Sequence, residues 1–292
     1  MPNVTANGLR IEFEAMGDRA RPALLLVMGL GGQLVWWPDG FCSALAERGF
    51  YVVRYDNRDV GLSARIDDAP VPDVMAALGG DASSAGYTLV DMAADGAGLL
   101  DALGIDAAHV VGVSMGGMIA QHMAIHFPER VRTLCSIMSA PTGVMAADPP
   151  TPEAGAVLIR PPAATRDEAI DQGVEGSRII GSPGYPFDGA RTRARAAASY
   201  DRSYFPRGLA RQLVAILASE EWTGRLAGLK VPTLVIHGEA DPLIRPSWGR
   251  ATAAAIPGAD LLLVPGMGHD LPEGAWPLLV DAIADHAGVR CH

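Results

Sequence analysis

The sequence predicts an α/β fold, a doubly wound and mostly parallel sheet with an inserted helical lid. Three observations carry this. Ala23-Leu24-Leu25-Leu26-Val27-Met28 and His109-Val110-Val111-Gly112-Val113 are apolar runs, as in strands buried on both faces of a parallel sheet. Such runs alternate with stretches of helical periodicity, which means right-handed β-α-β crossovers. The alternation stops after Ser139 and returns at Val231. Residues 1–142 and 224–292 therefore read as the core, and 143–223 as the inserted, mostly helical lid.

The elements follow in order. Val4 to Met16 alternates loosely around Asn7-Gly8, a hairpin signal. The strand opened by Pro22 ends at Gly29-Leu30-Gly31-Gly32, where glycines let backbone N–H groups face a ligand. A helix through Phe41 to Arg48 is stopped by Gly49. Tyr51 to Asp56 is the next strand, left by the polar loop Asn57 to Ser63, in which Arg58 and Asp59 are expected to hold the loop by internal hydrogen bonds, with contact to substrate as the alternative. Ile66 to Gly86, rich in Pro, Gly, Ala and Asp, reads as irregular. Thr88 with Asp91 three residues on is an N-cap pattern for a helix ending at Leu103-Gly104. Asp91, Asp95 and Asp101 are expected on its solvated face. Met115 to Phe127 is helical and Val131 to Ser139 a strand.

Within the lid, Thr165 to Ile180 and Gly189 to Ser219 read as helical. Arg191, Arg193, Arg195, Arg202, Arg207 and Arg211 give it a basic bias, most simply a solvated face paired to the acidic core, with attraction of an anionic substrate as the alternative. Then come a strand at Val231 to Gly238, a helix near Trp248 to Ala255, a strand at Ala259 to Val264 and a final helix near Glu273 to Ala287.

Composition narrows the function. The 292 residues are 49% hydrophobic and 19% charged, enough apolar material for a buried sheet. A net charge of −10 argues against nucleic acid and anionic membranes as partners. Cys42, Cys135 and Cys291 are too scattered for a disulfide framework, and the first two read as small buried hydrophobes. The N-terminus shows no signal-peptide pattern, and no apolar run is long enough for a membrane helix. A cytoplasmic enzyme, monomer or homodimer, acting on a small molecule is expected.

The chemistry centres on Gly112-Val113-Ser114-Met115-Gly116. A strand running through Gly-x-Ser-x-Gly into a helix lifts the serine oxygen out of the sheet on a sharp turn. It leaves the Met115 N–H free to meet a developing oxyanion. Asp241 and His269 also sit on loops after strands. A serine hydroxyl is a poor nucleophile at neutral pH and needs a base, which in turn needs an orienting carboxylate. His269 fits the base and Asp241 the orienting acid. His122 and His126 have the i, i+4 spacing of a metal pair, but no third ligand accompanies them, so no metal and no cofactor is expected.

Leu-Leu-Leu-Val-Met-Gly, Arg-Tyr-Asp-Asn-Arg-Asp-Val-Gly-Leu-Ser, Gly-Val-Ser-Met-Gly-Gly, Asp-Pro-Leu-Ile and Pro-Gly-Met-Gly-His together resemble the α/β-hydrolase-fold serine hydrolases. The resemblance extends to the aclacinomycin methylesterase-like subgroup. It implies Ser114 as nucleophile, Asp241 as acid, His269 as base and an oxyanion hole from the Leu30 and Met115 N–H groups. One departure stands out. Much of the family has His-Gly at the oxyanion loop, where this chain has Met28-Gly29. Just past it, Trp36 and Trp37 are candidates for an apolar or aromatic acyl site. The expected activity is cofactor-independent hydrolysis of small apolar or aromatic carboxylic esters through an acyl-enzyme. A carbon–carbon bond hydrolase, a lactonase with the same triad, and a small-molecule receptor on the same fold are the alternatives.

Overall fold

A computed structural model describes residues 2–142 and 148–289. In chain order the elements are β1 (Asn3–Ala6), β2 (Leu9–Met16), β3 (Ala23–Val27), α1 (Asp39–Glu47), β4 (Tyr51–Tyr55), α2 (Val74–Leu78), α3 (Leu89–Ala102), β5 (Ala108–Val113), α4 (Met115–His126) and β6 (Val131–Ile137). Then come α5 (Pro152–Leu158), α6 (Arg166–Ile180), α7 (Gly189–Arg202), α8 (Pro206–Ala218), α9 (Thr223–Leu226), β7 (Thr233–Gly238), α10 (Pro246–Ala255), β8 (Asp260–Val264) and α11 (Trp276–His286).

The strands form one eight-stranded sheet in the order β1-β2-β4-β3-β5-β6-β7-β8. β3 to β8 run parallel to one another, and β1 and β2 form an antiparallel edge, β2 pairing antiparallel with β4. The β1–β2 turn is Asn7-Gly8, with φ of 49° and 76°. Two consecutive positive φ values are what a tight hairpin matching the strand twist requires. The apolar runs divide between two cores. Leu24, Leu26, Val52 and Val111 pack with Phe41 of α1 and Leu279 and Ile283 of α11. Leu25, Val27, Val53 and Val110 pack on the other face with Met92 of α3 and Ile119 and Met123 of α4. A strand buried on both faces has no polar side to offer, hence the unbroken runs. Cys42 and Cys135 are buried among these side chains.

Several details differ from expectation. The stretch 66–86 contains the short helix α2, with Asp73 accepting a hydrogen bond from the Ala76 N–H at its start. The basic helical stretch 189–219 is two helices, broken at Ser203 to Phe205, because Pro206 disfavours helical geometry in the residue before it. Asp95 is buried, not solvated; Arg58 Nε and Nη2 donate to its two carboxylate oxygens at 2.6 and 2.7 Å. Asp91 and Asp101 are exposed, the latter paired with Arg130. Residues 143–147, where the expected lid begins, lie outside the described residues, as does Cys291; at the other end α9 runs across the 223/224 boundary.

Candidate active site

Ser114, Asp241 and His269 come from loops after β5, β7 and β8, at the carboxyl edge of the parallel sheet where such folds hold ligands. Ser114 has φ 56° and ψ −125°, a conformation costly for a residue with a side chain. The surroundings enforce it. A Cβ on Gly112 would lie 2.0 Å from the Gly116 carbonyl oxygen, and one on Gly116 would lie 2.1 Å from that of Val27. Both positions need glycine because the turn brings backbone against backbone. Ser139 Oγ donates to the Ser114 carbonyl at 2.7 Å and braces the turn from β6.

The three side chains form one hydrogen-bonded chain. His269 Nε2 lies 3.0 Å from Ser114 Oγ, and His269 Nδ1 lies 2.7 Å from Asp241 Oδ2. Asp241 Oδ1 accepts from the Leu243 and Ile244 N–H groups, each at 2.9 Å. The carboxylate is thus fully engaged, and His269 Nδ1 carries the proton pointed at it. That tautomer leaves Nε2 free to accept from Ser114 Oγ. A second histidine, His237, is buried 3.6 Å from Asp241 Oδ2, but its Nε2–H donates to the Ile244 carbonyl at 2.7 Å. Burial lowers the His237 pKa, which keeps the ring neutral.

The loop after β3 lies against the serine: a Cβ on Gly29 would be 3.1 Å from Ser114 Cβ. The Leu30 N–H makes no hydrogen bond among the described residues, and Met115 opens α4, where first-turn N–H groups lack intrahelical partners. Met28 stands where a histidine would brace this loop, and other groups do that work. Asn57 Nδ2 donates to the Met28 carbonyl at 2.9 Å, and the Gly31 N–H donates to Gln212 Oε1 of α8 at 2.8 Å. Gln33 Nε2 donates to the Ser199 and Ser203 carbonyls of the α7 end at 2.7 and 2.8 Å. Asp56 accepts from the Leu34 and Leu62 N–H groups at 2.7 and 2.9 Å and from Arg202 Nη1 at 2.6 Å. Burial raises the Asp56 pKa, and these donors pull against the rise.

Arg58 and Asp59 hold their loop as expected from the sequence. Arg58 binds Asp95, and Asp59 Oδ1 accepts from the Ile66 N–H at 2.8 Å and from Arg211 Nη1 at 3.2 Å. Of the two tryptophans expected at an acyl site, Trp37 does not line it. It is 0% exposed and stacks on Phe41 at 6.0 Å in the core. Trp36 stays half-buried, with Nε1–H donating to Ser199 Oγ at 3.2 Å. His122 and His126 stack on one another, and His122 packs against Trp222. No group of three or more His, Cys, Asp or Glu that could hold a metal occurs among the described residues.

Residues 22–274 match the alpha/beta hydrolase fold family. The chain belongs to that family. Rhodomycin D methylesterase DauP of Streptomyces sp. (strain C5) is 31% identical, the match spanning 97% of this chain and 96% of that protein. Rhodomycin D methylesterase DnrP of Streptomyces peucetius is 30% identical over the same shares of each. Among solved structures, the enol-lactonase from Burkholderia xenovorans LB400 superposes with a TM-score of 0.70 at 25% identity, covering 98% of this chain and 100% of that one. The protein is accordingly a hydrolase with methylesterase kin. Among the described residues no helix is long and apolar enough to cross a membrane.

Asn57, Gln212, Gln33 and Arg202 are the site-supporting residues that sequence reasoning did not single out. Arg202 was visible only as one of several basic residues in a helical stretch, and nothing local marks Gln212.

Proposed function

We propose that this hydrolase is a cofactor-independent serine esterase that cleaves small apolar or aromatic carboxylic esters through an acyl-enzyme. The single observation carrying the reading is the hydrogen-bonded chain from Ser114 Oγ through His269 to Asp241, at 3.0 and 2.7 Å. In this reading Ser114 Oγ attacks the ester carbonyl as His269 Nε2 takes its proton. The Leu30 and Met115 N–H groups receive the oxyanion, and His269 then protonates the departing alcohol. Water, deprotonated by the same imidazole, attacks the acyl-enzyme and releases the acid. Asp241 holds the productive tautomer and offsets the imidazolium charge. The helices between β6 and β7 act as the lid that keeps bulk water from the acyl-enzyme. Full-length similarity to methylesterases favours an ester over an amide bond.

The test is initial-rate hydrolysis of p-nitrophenyl acyl esters, aromatic methyl esters and lactones by the wild type and Ser114→Ala. Ester turnover that vanishes in the variant is expected. Turnover that survives it with unchanged kinetics refutes Ser114 as nucleophile. Turnover restricted to lactones replaces the esterase reading with a lactonase.

A further inference from the structure

His269 stands on the loop that follows β8, and that loop is held from two sides. On the core side the Met267 carbonyl accepts from the Ala240 N–H at 2.9 Å, and the Met267 N–H donates to the Val264 carbonyl at 3.3 Å. Further bonds run to the end of α6 and the turn after it. α6 ends at Ile180, whose carbonyl, like the last carbonyls of any helix, has no partner within the helix. The His269 N–H supplies one at 2.7 Å.

Ser182-Pro183-Gly184-Tyr185 then turns the chain. Pro and Gly occupy its two central positions, and the Tyr185 N–H donates to the Ser182 carbonyl at 3.3 Å. The Gly184 N–H donates to the Gly266 carbonyl at 2.9 Å. Backbone lies against backbone along this seam. A Cβ on Gly268 would lie 2.2 Å from the Gly181 carbonyl oxygen, and one on Gly184 would lie 2.6 Å from Gly266 Cα.

Ser182 puts a side chain into the seam. Its Oγ accepts from the Gly268 N–H at 2.8 Å and donates to Asp270 Oδ1. It thereby binds the residue before His269 and the residue after it. A hydroxyl can do both because it carries one proton and two lone pairs. The histidine ring hangs from its backbone by two rotatable bonds, so the place of that backbone sets its reach. Nε2 lies 3.0 Å from Ser114 Oγ and Nδ1 2.7 Å from Asp241 Oδ2. A backbone shift of about 0.5 Å takes one of these beyond ordinary hydrogen-bond length.

We infer that Ser182 is a positioning residue for His269, holding the histidine backbone through Gly268 and Asp270 so that the imidazole reaches Ser114 and Asp241 together. This rests on the reading of Ser114, His269 and Asp241 as the esterase triad. It makes the turn after α6, outside the strand loops that carry the three side chains, a working part of the site.

The test follows Ser182→Ala in two ways, with circular dichroism to verify folding. The first is initial-rate hydrolysis of p-nitrophenyl acetate. Acylation and deacylation both use the imidazole, so kcat should fall about ten- to hundredfold while KM stays within about twofold. The second needs no turnover. The proton shared by His269 Nδ1 and Asp241 gives a far-downfield proton NMR signal, expected in the wild type and broadened or lost in Ser182→Ala. Ser182→Thr keeps a hydroxyl and is expected to retain the signal and most of kcat. A signal unchanged in the folded Ser182→Ala protein overturns the inference. So does a kcat within about threefold of wild type on an ester that the wild type hydrolyses. A loss as large in Ser182→Thr as in Ser182→Ala assigns the effect to packing and overturns it too. A signal lost in Ser182→Ala, where the wild type turns over no ester, supports the positioning role and refutes the esterase reading alone.

Discussion

Replacing Asp241 by Asn gives the sharpest test of the hydrogen-bonded chain, because the surroundings dictate how the amide must sit. Asp241 is 1% exposed, and its Oδ1 accepts from two backbone N–H groups at 2.9 Å. Turning the new NH2 toward those donors would set three donors against one another in a dry site, at about 1–3 kcal/mol for each group left unpaired. The amide oxygen therefore keeps the Oδ1 place, and the NH2 faces His269 Nδ1. That nitrogen must then accept, which moves the ring proton to Nε2, on the side of Ser114 Oγ. An imidazole so protonated cannot take the serine proton. His237 cannot substitute, since its Nε2–H is held by the Ile244 carbonyl. The expected fall in kcat is about 10⁴-fold, or roughly 5.5 kcal/mol in the barrier. The fold should persist, because both backbone hydrogen bonds to Oδ1 survive. Initial rates on p-nitrophenyl esters, with circular dichroism to verify folding, measure this. A folded Asp241→Asn protein that loses less than about tenfold in kcat refutes the orienting role.

Two further substitutions probe the scaffold. Gln212 is 0% exposed and bridges the Gly31 N–H to the Arg58 carbonyl. Gln212→Ala leaves both unpaired, so it should cost about 1–3 kcal/mol for each group in urea unfolding and also lower kcat, as the loop bearing Leu30 loosens. Unchanged stability and kcat would show that the loop is held without it. His122 is buried with neither ring nitrogen hydrogen-bonded among the described residues, and burial lowers its pKa from 6.5 to about 3. Below pH 6.5 the unfolded chain binds a proton that the folded protein refuses until about pH 3. Stability therefore falls with pH across that window, by up to about 1.4 kcal/mol per pH unit from this residue. His122→Leu should flatten the pH dependence of unfolding free energy between about pH 4 and 6; curves parallel to the wild type would refute the assignment.

What the sequence made legible was local. Strands such as Ala23–Val27 declare themselves because both faces are buried, and Asn7-Gly8 marks its turn because both residues sit at positive φ. The break between α7 and α8 was obscured for a different reason. The basic and apolar periodicity runs on through Ser203 to Phe205, and only Pro206 signals that the backbone cannot. Asp95 was misplaced because an aspartate on a helix reads as solvated. The arginine that permits its burial lies 37 residues away, on the loop after β4.

The same distinction governs the site. Ser114, Asp241 and His269 each stand on a loop directly after a strand, so each announces itself in its own few residues. The groups that hold the loop carrying the Leu30 N–H do not, because they are non-local: Gly31 meets Gln212 across 181 residues, and Gln33 meets Ser199 across 166. With methionine at position 28, the anchoring is shared between Asn57 and Asp56 on the loop after β4 and groups on α7 and α8. Those helices are themselves pinned to the core by buried ion pairs, Arg202 with Asp56 at 2.6 Å and Arg211 with Asp59 at 3.2 Å. Breaking such a pair from one side leaves an uncompensated buried charge, at about 3–5 kcal/mol. α7 and α8 therefore cannot shift without releasing the loop that carries the Leu30 N–H. Substitutions along α7 and α8 that displace Gln212 or the Ser199 and Ser203 carbonyls should then alter kcat, because those groups hold the loop that carries the Leu30 N–H.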